Sequence, residues 1–250
     1  MSYENFAAVY DQLQGDVDYE ARAEYLVGLF KKYDRLPTLL LDVACGTGGF
    51  SLPFAKKGIE VIGADPSPEM LDVAREKLAA AGVEALLLCQ SAEELDLYGT
   101  VDGAVCCLDS LNHIIDGDEL KRSIARIALF LEPERLFIFD VNTEYKHKNV
   151  LSGTTFAAET EDVFCVWQNS ECDEDGIVDI SLDFFRETGD GTYERTSEDF
   201  SERAYSPEFI EKCITEAGLE TVAMLGDMSF DAPKKEEERV IYVTRRVKNG

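Results

Sequence analysis

The segment LLLDVACGTGGFSLPFAKKGIEVIGAD, residues 39–65, constrains the fold more than any other part of this chain of 250 residues. Thr38 to Val43 is a short, nearly continuous apolar run, the pattern of a strand buried on both faces. Gly46, Gly48 and Gly49 follow at once, so the backbone can turn tightly and approach a ligand without an intervening Cβ. A helix is expected from about Gly48 to Lys57, with Gly58 as its stop. Ile59 to Ala64 reads as a second strand, with Asp65 at its carboxyl end. In an open α/β sheet ligands bind at that end of the strands, where an acid suits the two hydroxyls of a ribose.

Spacing separates the cofactors that use such a turn. Counting from Gly46 and Gly48, the third position of the dinucleotide fingerprint is Ser51 rather than a glycine or alanine, and the phosphate loop G-x-x-x-x-G-K-[ST] is absent. What remains, Asp42-x-Ala44-Cys45-Gly46-Thr47-Gly48, closely resembles motif I of the class I S-adenosylmethionine-dependent methyltransferases. GADPSPEM resembles motif II, residues 86–95 the next strand and its turn, and VDGAVCCLDSLNHI, residues 101–114, motif IV in the form found in small-molecule enzymes. The resemblance covers most of the chain, with its specific residues confined to about 38–114.

The resemblance implies S-adenosylmethionine as cofactor, with S-adenosylhomocysteine as product, and a set of residues to hold it. Asp42 would brace the turn, and Ala44, Cys45, Gly46, Thr47 and Gly48 would meet the methionine part. Asp65 would bind the ribose; Pro66, Ser67 and Met70 would line the adenine, with Ser91 and Ala92 at its edge. Leu108 joins the set beside the methyl group, and Tyr10 and Tyr19 are candidates from an amino-terminal segment that folds over the cofactor. Met70 and the two tyrosines serve equally well as core residues on helical stripes.

The implied fold is α/β: a doubly wound, mostly parallel seven-stranded sheet of the Rossmann-like methyltransferase type with a small antiparallel β insertion. Local patterns agree with it. Ser67-Pro68 is a helix start, followed by Leu71, Ala74, Leu78 and Ala81 at spacings of three and four, with Gly82 as the stop. Asp118 to Phe130 is amphipathic, and Arg135 to Val141 reads as a fifth buried strand. The period then changes to two: Val163, Cys165 and Trp167 share one face, and Val178, Ile180, Leu182 and Phe184 share another. With glycine-containing turns at 173–176 and 188–191, this reads as an antiparallel insertion of about three strands over residues 151–203. A helix from about Ser206 to Ala217 and two strands, Leu219 to Leu225 and Arg239 to Thr244, close the domain. The organisation expected is a helical cap at 1–36, a cofactor-binding domain at 37–150 and 204–250, and the insertion as a substrate lid or a dimer surface.

Charge limits the partners. Fifty acids oppose 24 lysines and arginines, a formal net charge of −26, and residues 159–203 hold 15 acids against 3 bases. Nucleic-acid binding draws its affinity from neutralising phosphates, so an RNA or DNA partner is disfavoured. A neutral or cationic small molecule fits this surface, although acids also simply keep a surface solvated. The seven scattered cysteines, without a C-x-x-C pair, read as reduced thiols, and with two histidines no metal site is expected. No apolar stretch is long enough for a membrane helix, and the amino-terminal residues carry no leader pattern, so the expected place is the cytoplasm, as monomer or homodimer.

The activity expected is methyl transfer to a small-molecule nitrogen or oxygen by in-line displacement. His113, just past the motif IV strand, is the candidate base, or else a packing histidine; Asp109 is a candidate to orient an amine. Methylation of RNA or protein, and cofactor binding without turnover, stand as the alternatives.

Overall fold

The computed structural model describes Asp11, Gly15 and residues 17–160, 163–189 and 191–248. Helix α1 (Tyr19–Tyr33) is opened by Asp18, whose carboxylate accepts the Ala21 N–H, and buries the expected stripe of Tyr25, Leu26, Leu29 and Phe30. There follow β1 (Leu39–Val43), α2 (Ser51–Lys56), β2 (Glu60–Asp65), α3 (Pro68–Ala80), β3 (Leu86–Cys89), β4 (Gly103–Cys106), a 3-10 turn (Ser110–His113), α4 (Gly117–Phe130) and β5 (Leu136–Asn142). A short helix α5 (Glu144–Lys146) passes into one π-helical turn over His147–Leu151. Four strands come next: β6 (Thr155–Glu159), β7 (Val163–Asn169), β8 (Ile177–Glu187) and β9 (Tyr193–Arg203). Helix α6 (Pro207–Glu216), β10 (Leu219–Gly226) and β11 (Arg239–Arg246) complete the chain.

Seven strands form one sheet in the order β10-β11-β5-β4-β1-β2-β3, with β11 alone running against its neighbours. Helices cover both faces because its central strands are apolar on both. On one side Ile124 and Ile127 of α4 and Ile210 and Ile214 of α6 pack with Phe137 and Phe139; on the other, Leu26, Leu29 and Phe30 of α1 and Phe54 of α2 pack with Leu40 and Ile138. The strand order reverses between β1 and β4. Their carboxyl ends therefore flank the crevice in which ligands of such sheets lie.

Two expectations need correction. The helix after the glycine turn starts at Ser51, not near Gly48, because Gly48 stands at φ +76°, outside the helical region. The insertion has four strands in the order β6-β7-β8-β9, not three. Every residue of β6 is exposed, so it carries no alternation of buried and exposed side chains to read. Helix α1 shares a core with α2 and the sheet; residues 1–10, with Tyr10, lie outside the described residues.

The insertion has its own core. Val163, Cys165, Val178, Ile180, Leu182 and Phe184 cluster on one face, the face read from the sequence, with Trp167 and Phe200 packed against them. Register places Glu202 opposite Val178 on that same inward face. All seven cysteines are free thiols. No helix among the described residues is long and apolar enough to cross a membrane.

Candidate active site

The glycine turn is built by bonds between the ends of β1 and β2. Ala44 and Gly46 both adopt left-handed backbone, at φ 54° and 53°. Cys45 N–H donates to the Ala64 carbonyl at 3.1 Å, and Gly46 N–H to Asp65 Oδ2 at 2.9 Å. Asp65 Oδ1 accepts the Ser67 N–H at 2.9 Å, so one carboxylate holds the turn and the start of α3 together. Below them Asp42, 2% exposed, accepts the Ser51 hydroxyl at 2.6 Å and fixes the start of α2. Burial pushes the Asp42 carboxyl up to about 7, against the pull of its Ser51 bonds. Burial also raises Asp65, opposed by its bonds from Ser67 and Gly46.

The three glycines do different work. A Cβ on Gly49 would stand 2.4 Å from the Tyr19 ring, and one on Gly48 would press on Ala74 of α3 at 3.2 Å. These two permit packing. A Cβ on Gly46 would meet nothing within 4 Å, so open space lies over the turn at that point. That open cradle, with Asp65 partnered only by neutral N–H groups and retaining free lone pairs, fits a ligand carrying hydroxyls and an amino-acid moiety.

The other candidates from this half lie on the turn itself, at the start of α3, after β3 and on α1. Thr47 is buried; its hydroxyl donates to Asp11 at 2.6 Å and accepts from Lys77 at 3.1 Å, while Lys77 pairs with Asp11 at 2.6 Å. Ser67 caps α3 by accepting the Met70 N–H, Met70 is buried, and Pro66 is exposed beside them. Ser91 and Ala92 sit in the turn after β3, where the Ser91 hydroxyl donates to Glu94 at 3.3 Å. Tyr19 lies edge-on to Phe50 with ring centroids 5.2 Å apart, covering the turn from the α1 side.

A second cluster stands at the ends of β4 and β5. Leu108 and Asp109 are both left-handed, at φ 55° and 54°, a strained pair of non-glycine residues. Asp140 holds them, accepting the Leu108 N–H at 2.8 Å and the Asp109 N–H at 2.7 Å. Arg239 of β11 donates to Asp140 at 2.7 Å and to Asp109 at 2.6 Å, and Asn142 donates to the other Asp109 oxygen at 2.8 Å. Burial works against ionisation of Asp109, but Arg239, Lys146 and His113 outweigh it and hold the carboxyl down at about 2. Asp109 is therefore an anion fixed on both oxygens.

His113 is half-exposed, its ring 5.1 Å from that of Phe200 and its Nε2 3.8 Å from Glu202 Oε1. Glu202 is 3% exposed and accepts from Asn142 at 3.1 Å. Behind it lies His147, wholly buried, its Nδ1 donating to the Gly176 carbonyl at 3.0 Å and its Nε2 3.6 Å from Glu202 Oε2. Asp109, His113 and Glu202 thus converge, each offering one atom within 4.8 Å of the others. Sequence reasoning found the first two and missed Glu202, Asp140, Asn142 and Arg239. Asp140 and Asn142 were visible as polar residues ending an apolar strand, the signal that marks Asp42; Glu202 was hidden in an acid-rich strand.

Comparison with known proteins identifies relatives of the whole chain. A methyltransferase-domain family model matches residues 40–134. A Geobacillus sp. (strain WCH70) protein provisionally named a methyltransferase is 31% identical over 247 residues, 98% of this chain and all of that one. A solved S-adenosylmethionine-dependent methyltransferase from Clostridium acetobutylicum superposes with a TM-score of 0.89 at 32% identity, covering 98% of this chain and 99% of its own. A glycine/sarcosine N-methyltransferase of Parasynechococcus marenigrum is 30% identical over 145 residues, 55% of this chain and 49% of that protein.

Proposed function

Since this chain belongs to the class I S-adenosylmethionine-dependent methyltransferases, we propose that it methylates a nitrogen or oxygen nucleophile of a small molecule by in-line displacement. The observation that carries this reading is that an open glycine turn follows β1 while a fixed acid and a half-exposed imidazole follow the neighbouring parallel strand β4. The partial likeness to a glycine/sarcosine N-methyltransferase supports a small acceptor, and so does the acidic insertion, which is a poor clamp for nucleic acid.

S-adenosylmethionine supplies the electrophilic methyl group when bound. The chain's own residues have three tasks. Asp65, Gly46 and the backbone of Ala44 and Cys45 bind and orient. Leu108 and Asp109, locked by Asp140, fix the strand end that faces the transfer, and positioning of this kind contributes roughly 7 to 11 kcal/mol in favourable cases. His113 takes the proton of the nucleophile at Nε2. The insertion, whose inward face delivers Phe200 and Glu202 to the same place, shields the acceptor from water.

The test is transfer of labelled methyl groups from S-adenosylmethionine to a panel of amines, hydroxyacids and phenols, with cell-extracted RNA and protein alongside. Transfer to small molecules supports the reading; transfer to RNA or protein alone overturns it.

A further inference from the structure

Asp109, His113 and Glu202 form a group compact enough to surround one small atom. Three atoms within 4.8 Å of one another always enclose a point no more than about 2.8 Å from each, so one nitrogen donor lying among them is within hydrogen-bonding reach of all three. Asp109 already has the Arg239 guanidinium as its counter-cation. His113 and Glu202, at 3.8 Å, are too far apart to bond directly but are well placed to share a donor lying between them.

Glu202 is held by one of its two oxygens. The Asn142 amide donates to Oε2, and the wholly buried His147, whose Nδ1 donates to the Gly176 carbonyl, has its Nε2 3.6 Å from the same oxygen, beyond hydrogen-bonding distance. That His147 nitrogen has no hydrogen-bond partner. Oε1 is left facing His113 on a carboxylate that is almost completely buried, so a donor must come from a ligand or an enclosed water.

We propose that Asp109, His113 and Glu202 form the subsite for the acceptor nitrogen, and that the acceptor is a primary or secondary amine. This deepens the reading above and rests on it. An amine arriving as its ammonium ion brings at least two N–H donors for the two carboxylates, whereas an alcohol brings a single donor and leaves a buried carboxylate oxygen unmatched. His113 Nε2 removes one proton, freeing the nitrogen lone pair. The lone pair forms the N–C bond as the C–S bond breaks, with its electron pair passing to sulfur. Positive charge moves onto the nitrogen between Glu202 and Asp109, and the methylated ammonium sheds its remaining excess proton to solvent. Glu202 binds the acceptor, positioned by the Asn142 amide.

The chain has two histidines, so imidazole NMR signals report on this subsite directly. Protein saturated with S-adenosylhomocysteine is titrated with methylammonium chloride, and with potassium chloride as an ionic control. The expected result is a saturable shift of the His113 signals with methylammonium alone, lost in Glu202→Gln and retained in weakened form in Glu202→Asp. An unmoved His113, or equal shifts with potassium, overturns the proposal. With amine acceptors, Glu202→Gln should raise KM for the amine about 100-fold with the affinity for S-adenosylhomocysteine unchanged. Alcohol or phenol methylation indifferent to Glu202→Gln also overturns it, yet leaves the methyltransferase reading standing; failure to bind S-adenosylhomocysteine would instead remove that reading.

Discussion

Asp140 of β5 accepts the backbone N–H of Asp109, just past the end of β4, at 2.7 Å, and this bond ties the Asp109 backbone to the neighbouring strand. The second Asp140 oxygen takes the Leu108 N–H, and Arg239 closes the ring by bonding both carboxylates. Two consecutive left-handed non-glycine residues persist because this ring over-determines them.

Replacing Asp140 by alanine leaves two N–H groups unbonded and half of the Arg239 pairing lost. Loss of a buried pair partner costs about 3 to 5 kcal/mol, and Asp140→Ala should lower the stability by that order. Asp140→Asn, which keeps one acceptor oxygen, should fall between. Denaturant midpoints at unchanged m-value provide the check.

Gly46 and Gly49 should separate binding from folding. Gly46→Ala keeps its space but places an alanine at φ +53°, a cost of about 1 to 2 kcal/mol, and puts a methyl group into the open cradle. It should fold and bind S-adenosylhomocysteine at least tenfold more weakly by calorimetry. Gly49→Ala drives a methyl into the Tyr19 ring, and its loss should appear mainly in thermal stability.

These contrasts show which parts of the molecule a sequence can reveal. Asp42, Gly46 and Asp65 lie within 24 residues along the chain, and strand, turn and helix signals place them without tertiary knowledge. Asp109 and His113 follow by position after the next strand. The partners that give these two their setting come from far away: Arg239 is 130 residues from Asp109, and Glu202 reaches His113 only because β9 pairs with β8 in a register that sets it opposite Val178. Strand pairing of that range leaves no local pattern, and neither does an edge strand such as β6, exposed along its whole length.

The two shifted aspartates predict opposite pH effects. The Asp42 carboxyl is raised from 3.8 to about 7, so the stability tied to its protonated form is complete below about pH 4 and is lost as pH rises through about 7. The Asp109 carboxyl is lowered to about 2, so its contribution is present above about pH 4 and is lost as pH falls through about 2. Asp42→Asn should therefore gain stability relative to the wild type between pH 4 and 7, read from melting curves across that range. A constant difference would contradict the assignment.

Thiol reactivity should follow burial. Cys89 is exposed, whereas Cys106 and Cys107 are buried with their thiols pushed well up by loss of solvent. Brief iodoacetamide treatment of the native protein should modify Cys89 first and spare Cys106 and Cys107, as peptide mass spectrometry would show. Early labelling of Cys106 would mean that the β4 strand end opens in solution.

The central claim, that the Gly46 turn and Asp65 bind S-adenosylmethionine, is tested most directly by thermal melting with S-adenosylhomocysteine and, separately, NAD. A ligand at about 100 times its dissociation constant stabilises the native state by about 2.7 kcal/mol. The account predicts an upward shift with S-adenosylhomocysteine, strongly reduced in Gly46→Ala, and none with NAD. No shift with S-adenosylhomocysteine, or a shift with NAD in its place, would contradict it.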